Sequence, residues 1–83
     1  METNHLRYFL AIIETGSLSA TAKKLRLSQP ALSSAVQSLE KIFGTTLLIR
    51  DHNGVVPTRT GEQLKQCAQD VLARLDDAQA RIR

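Results

Sequence analysis

The sequence predicts a mainly α fold: a winged helix-turn-helix (three helices plus a two-stranded wing) followed by one long dimerisation helix. Three observations carry this. Residues 16–44 hold two amphipathic segments separated by only Arg26-Leu27-Ser28. Beyond Gly44 the pattern changes to short β-branched and aliphatic runs around Asn53-Gly54. From about residue 59 to 83, apolar residues recur at alternating spacings of four and three. Eighty-three residues make one small domain. A core of that size is marginal alone, so help from a partner chain is expected.

The first helix is expected over 4–15. Leu6, Phe9, Leu10 and Ile13 fall at i, i+3, i+4 and i+7, with Thr3 or Asn4 as cap and Gly16 as a left-handed terminator. Ser17 suits the N-cap of a second helix, 18–25, which turns Leu18, Ala22 and Leu25 inward. Ser28 can cap a third, with Pro30 in its first turn, where a missing N–H costs nothing. That helix runs to about Phe43, buries Leu32, Val36, Leu39 and Phe43, and stops at Gly44. Residues 46–50 read as a strand, Asn53-Gly54 as the two-residue turn of a hairpin, and Val55-Val56 as the return strand, which Pro57 confines to an edge. The last helix starts near 59, with Thr60-Gly-Glu-Gln63 matching a capping box and Thr58 an equally good cap. Its residues Leu64, Ala68, Val71, Leu75, Ala78 and Ile82 form an a/d seam. At ~1.5 Å per residue the helix is about 36 Å long and overhangs the rest. Homodimerisation through the seam is the inference. We divide the chain into residues 1–58, the helix-turn-helix and wing, and 59–83, the linker and dimerisation helix.

Eleven basic residues against eight acidic ones give a formal net charge of +3. Residues 1–60 hold seven basic and four acidic residues, and 61–83 four of each. The excess therefore sits on the helix-turn-helix portion, a mild bias toward polyanions. The single cysteine excludes an internal disulfide and a Cys-based metal site. His5 and His52 have no carboxylate or cysteine at ligand spacing, so no metal and no cofactor is expected in this chain. The N-terminus shows no basic start and no long apolar run, and a soluble cytoplasmic protein is the expectation.

The third helix is apolar on one side and rich in Ser and Gln on the other. An uncharged, small, hydrogen-bonding face suits the floor of a DNA major groove, where base edges present donors and acceptors. Gln29, at the N-terminus of that helix, is the expected base reader. Ser33 and Ser34 follow on the same helix, with hydroxyls short enough for close approach, and Gln37, one turn beyond Ser33, can reach a base or phosphate. Ser17 caps the second helix and also stands where that helix meets a phosphate. Lys23, Lys24 and Arg26 offer unspecific phosphate attraction or simply a solvated face. Arg50 and His52 lie in the wing, Arg50 as a structural or phosphate-contacting residue. Cys67 reads as a plain helix residue.

Phe9, Gly16-Ser17, Ala20, Ala22, Leu25, the run Ser28-Gln29-Pro30-Ala31-Leu32-Ser33, Leu39-Glu40, Gly44, Leu47, Arg50, Pro57-Thr58 and Gly61 together resemble the DNA-binding region of the LysR-type transcriptional regulators. The resemblance covers essentially the whole chain. It implies a bacterial regulator that binds double-stranded DNA as a homodimer on an inverted repeat, with tetramers possible in the full-length protein. It also implies a C-terminal domain, absent from this chain, that takes a small-molecule effector. By position, Gln29 reads bases, Ser28, Pro30, Ala31, Ser33 and Ser34 lie against bases or phosphates, and Asn53 of the wing enters the minor groove. Relatives often carry Arg where this chain has Ser34 and Asn53, which shifts readout toward Gln29, Gln37 and DNA shape; they often carry Phe in place of Leu48. A winged-helix protein-interaction module that no longer binds DNA is the competing reading, and those missing Arg residues motivate it. An enzyme is disfavoured: the sequence has no nucleophile–base pair, carboxylate pair or Gly-rich phosphate loop.

Overall fold

A computed structural model describes residues 1–82; Arg83, the last residue of the expected final helix, lies outside the described residues. The order is α1 (Thr3–Thr15), α2 (Leu18–Leu25), α3 (Gln29–Phe43), β1 (Leu48–Asp51), β2 (Gly54–Pro57) and α4 (Arg59–Ile82). The strands form an antiparallel pair with Leu48 opposite Pro57 and Asp51 opposite Gly54.

Turn chemistry sets the helix ends. Gly16 and Gly44 terminate α1 and α3 in the left-handed conformation, where a side chain would crowd the backbone. Ser17 accepts from the Ala20 N–H and Ser28 from the Ala31 N–H, both at 3.1 Å, which satisfies orphan donors at the starts of α2 and α3. Several expectations are corrected. Glu2, not Thr3 or Asn4, is the α1 N-cap, and no side chain caps it. Of the two caps the sequence offers for α4, Thr58 is the one used: its Oγ1 accepts from the Gly61 N–H at 3.0 Å. Thr60 lies inside the helix and donates to the Thr46 carbonyl. The first strand starts at Leu48 rather than 46, because Glu40 rather than a partner strand takes up the Leu47 N–H. The hairpin turn is His52-Asn53, with Gly54 as the first residue of β2. Gly54 alone takes the positive φ, +118°, and Asn53 does not.

Two joined clusters form the core. Leu6, Phe9, Leu39, Leu47, Ala68 and Leu72 make one, and Ile12, Ala22, Leu32, Val36 and Val55 the other. Leu10 and Ile13, expected inside, are only partly buried; Phe9 and Ile12 are the fully buried residues of that helix. Phe43 is 44% exposed, not buried, because α3 has passed the edge of the core by its last turn. Thr21 is fully buried, bonded to the Thr15 hydroxyl at 2.6 Å and the Ser17 carbonyl at 2.7 Å. The first half of α4 belongs to this core, through Gly61, Ala68 and Leu72. Leu64 and Ala68 of the expected free seam are thus engaged within the chain. The second half runs on past the head, and the molecule is 43 Å along its longest axis.

Gly61 and Gly44 separate two uses of glycine. A Cβ on Gly61 would collide with the Leu47 carbonyl oxygen, whereas Gly44, at φ +67°, faces open space. Gly61→Ala is expected to cost about 2–3 kcal/mol through overpacking, and Gly44→Ala about 1 kcal/mol through backbone strain alone. Urea unfolding of the two variants beside the parent checks the order; equal losses would contradict it.

Candidate nucleic-acid interface

The surface around the N-terminal half of α3 is built by three elements. Ser28 fixes where α3 begins, so Gln29, Pro30 and Ala31 stand exposed on its first turn. Leu32, Ala35, Val36 and Leu39 anchor the opposite face in the core, which leaves Ser34 and Gln37 exposed and Ser33 half-buried. No acidic residue occupies the first turns of α2 or α3, so the positive ends of both helix dipoles face outward uncompensated.

The wing closes this surface on one side. Arg50 reaches into two adjoining grooves. One, of about 220 Å³, is lined by Ser17, Ser19, Gln29 and Asp51 among others, and the second, of about 180 Å³, by Ser33, Gln37, Glu40 and Ile49. The fold therefore gathers Ser17, Gln29, Ser33, Gln37 and Arg50 on one side of the molecule. Ser28, Pro30, Ala31 and Ser34 flank them, exposed on α3. His52 and Asn53 stand apart at the exposed tip of the hairpin, so they do not join the grooves. Asp51 accepts the Asn53 N–H at 2.8 Å and holds that tip in shape.

Among the described residues, ion pairs join only Arg7 to Asp76 and Arg81 to Asp77. Arg50, Lys23, Lys24 and Arg26 make no ion pair there, although Asp51 and Glu40 line the grooves that Arg50 borders. Arg26 also adopts the left-handed conformation, φ 57°, in the turn between α2 and α3. Among the described residues, no group of three or more His, Cys, Asp or Glu stands close enough to hold a metal ion. No helix there is long and apolar enough to cross a membrane.

Sequence reading missed two residues that shape this surface, Glu40 and Asp51. Glu40 left a signal: a carboxylate near the C-terminal end of a helix opposes the macrodipole, so an acceptor role elsewhere has to account for it. Its Oε2 accepts from the Leu47 N–H at 2.7 Å and the Leu48 N–H at 3.4 Å.

Residues 3–62 match the bacterial regulatory helix-turn-helix proteins of the lysR family. The chain belongs to that family. It is 41% identical over 83 residues to the Hca operon transcriptional activator HcaR of Escherichia coli (strain K12), all of this chain but 28% of that protein. It is 39% identical over 82 residues to the nitrogen assimilation regulatory protein nac of Klebsiella aerogenes, 99% of this chain and 27% of that one. The chain thus spans little more than a quarter of these lysR-family relatives. Among solved structures, the LysR family transcriptional regulator CbnR superposes with a TM-score of 0.93 at 36% identity, over 98% of this chain and 28% of that one. The BenM_DBD/catB site 1 DNA complex superposes with a TM-score of 0.92 at 38% identity, over 99% of this chain and 92% of that one. The fold of this lysR-family chain is therefore the winged helix-turn-helix of those domains.

Ser28 and Gln29 are adjacent but do different work, and stability separates them. Ser28→Ala is expected to cost about 1 kcal/mol of folding free energy by removing the α3 cap, while Gln29→Ala leaves stability unchanged within about 0.5 kcal/mol. Thermal unfolding without DNA checks this; a Gln29→Ala loss as large as that of Ser28→Ala would give Gln29 a structural role.

Proposed function

We propose that this chain is the sequence-specific DNA-binding module of a LysR-type transcription regulator, acts as a homodimer on an inverted repeat, and is not an enzyme. One observation carries the reading. Gln29, Ser33, Gln37 and Arg50 converge on a surface that joins hydrogen-bonding side chains to an arginine with no ion-pair partner among the described residues. A major groove about 12 Å wide admits a helix such as α3. Gln29 then pairs with a base edge, and Pro30, Ala31, Ser33, Ser34 and Gln37 pack on bases or phosphates. Ser17 and Ser28 present the N-termini of α2 and α3 to the backbone. Arg50 neutralises a phosphate, and the His52-Asn53 tip reaches the adjacent minor groove. Lys23, Lys24 and Arg26 add sequence-independent attraction. Similar folds solved with DNA, such as the BenM_DBD/catB site 1 complex, support the assignment. Action on DNA places the protein in the bacterial cytoplasm.

Residues 59–83 serve dimerisation in this reading, and 1–58 the DNA contact. Val71, Leu75 and Ile82 are 46%, 43% and 83% exposed. Val71 lines an apolar cleft of about 390 Å³ with Met1, Phe43, Leu64, Cys67 and Ala68. Leu75, Ala78 and Ile82 line the next groove with Thr3 and Arg7. Exposed aliphatic residues in one row call for cover, and a second copy of α4 supplies it with two-fold symmetry. Tetramers, and an effector-binding domain beyond this chain, belong to the full-length protein by its family resemblance.

Selection from a randomised duplex pool at two salt concentrations, with sequencing of the retained DNA, tests the function. An enriched inverted repeat is the expected result. Salt-sensitive retention without enrichment would leave backbone attraction only, and no retention would favour a protein-interaction module. On the selected repeat, Gln29→Ala is expected to lower discrimination at one base pair per half-site by about 1–3 kcal/mol. Arg50→Ala should weaken all sequences alike and reduce the slope of log affinity against log salt by about one. Leu75→Glu is expected to shift the dimer toward monomer in sedimentation velocity. It should also speed maleimide labelling of Cys67, which lines the cleft that the partner covers. Labelling equal to that of the parent would place the dimer contact elsewhere.

A further inference from the structure

We propose that Glu40 is a positioning residue for the wing. Its carboxylate sets the separation between α3 and the hairpin, and so decides whether major-groove and minor-groove contacts form together. The proposal deepens the DNA-binding reading and rests on it.

Glu40 sits in the last turns of α3, near the negative end of the helix dipole, where an acid is unfavourable. It also lines the groove shared by Ser33, Gln37 and Arg50, on the side of the molecule that would face a polyanion. Both placements argue against a carboxylate retained for charge. Its bonds supply the other account. Oε2 accepts from Leu47 and Leu48, the residue before β1 and its first member. Leu47 is 1% exposed, and the strand pairing begins only at Leu48 opposite Pro57. Without Glu40 the Leu47 N–H would be buried and unpartnered, an arrangement native proteins avoid.

These two bonds are the only polar links between α3 and the wing among the described residues. Apolar packing also joins them, with Val55 beside Leu32 and Val36 and Leu48 against both core clusters, but it leaves an open groove of about 180 Å³ between α3 and β1. The wing's other ties run elsewhere. Val55 N–H donates to the Gly16 carbonyl, and Thr58 N–H to the Leu47 carbonyl. Val55 thus ties β2 to the α1–α2 corner, whereas toward α3 the start of β1 has the packing of Leu48 and, as its only polar hold among the described residues, the Glu40 carboxylate. Glu40 adds a directional hold where that packing ends.

Dimethyl sulfate reports both grooves at once, because it methylates guanine N7 in the major groove and adenine N3 in the minor groove. The probe is a duplex carrying the selected repeat, with parent, Glu40→Ala and Glu40→Gln chains. Glu40→Ala is expected to keep N7 protection under α3, lose N3 protection under the wing and bind about tenfold more weakly. Glu40→Gln is expected to match the parent, since an amide oxygen accepts the same two bonds. In the free protein, amide exchange at residues 47–56 should accelerate at least about tenfold in Glu40→Ala, as expected when a local closing interaction is lost, and not in Glu40→Gln. Retained N3 protection in Glu40→Ala overturns the proposal. So does parallel loss at both grooves, or a Glu40→Gln variant that behaves like Glu40→Ala. If the parent protects neither groove, the DNA-binding reading fails by itself. The exchange measurement then decides Glu40: selective acceleration in Glu40→Ala upholds its hold on the wing, and unchanged exchange refutes it.

Discussion

Leu47 is the point where the recognition helix, the wing and the long helix are fastened to one another. Its side chain is buried with Leu6, Phe9, Leu39, Ala68 and Leu72. Its N–H is taken by Glu40 of α3, and its carbonyl by the Thr58 N–H at the start of α4. The same carbonyl lies so close to Gly61 that only a residue without a side chain passes it. One residue thus fixes the exit of α3, the entry to β1 and the approach of α4. A packed interior transmits such constraints because it has no slack to absorb displacement. Gly54 and Gly16 repeat the arrangement on the other side of the wing. There the Val55 N–H reaches the Gly16 carbonyl at 2.9 Å, and a Cβ on Gly54 would strike it. The hairpin is held at both ends, and a two-stranded hairpin that would be marginal alone becomes a fixed part of the surface.

The candidate surface follows from that fastening. α3 puts its aliphatic residues into the core and leaves Gln29, Ser34 and Gln37 outward, with Ser33 half-covered. Arg50 opposes Val55 on the hairpin, and because the hairpin is anchored it borders both grooves that Gln29 and Gln37 line. The net charge of +3 is modest, but charge placed beside hydrogen-bonding groups does more than the total suggests. In the proposed function, backbone attraction brings a polyanion to the surface, and the uncharged face then distinguishes among base edges.

Much of this was legible in the sequence, for reasons tied to particular residues. Ser17, Ser28, Gly16 and Gly44 punctuate the helices through local chemistry, and local chemistry is what a sequence displays directly. The wing was legible as a hairpin, yet its turn falls one residue earlier than Asn53-Gly54 suggests. That pair is the usual signature of a turn with two positive φ values. Here the Asp51 carboxylate holds His52-Asn53, and Gly54 is reserved for its passage beside Gly16. That approach joins residues far apart in sequence and leaves no local mark. Glu40 showed only as an acid misplaced for the helix dipole; its partners lie seven and eight residues on, across a helix end and a loop, and leave no local mark. On the candidate surface, residue type and helical face identified Gln29, Ser33 and Gln37. Their meeting with Ser17 and Arg50 required the fold.

The seam on α4 is the clearest case of one pattern serving two purposes. A heptad row reads as one continuous stripe, but the helix is divided between the head and whatever lies beyond it. Ala68 faces the head with Leu72, which belongs to no seam position, and Leu64 packs against the same cluster. Val71, Leu75 and Ile82 remain exposed. The inward residues follow the shape of the head, where the small Ala68 lets α4 pack close to α1. The outward residues keep bulk that the head has no room to bury. Arg7 of α1 bonds Asp76 at 2.9 Å, beside Leu75 and in the same stretch as the exposed row. That pair is itself largely exposed, so it steers the helix more than it stabilises it. The direction in which α4 leaves the head is therefore set first by Ala68 and Leu72 and only trimmed by charge. Any assembly through the exposed row inherits that direction, and with it the orientation of the two recognition surfaces.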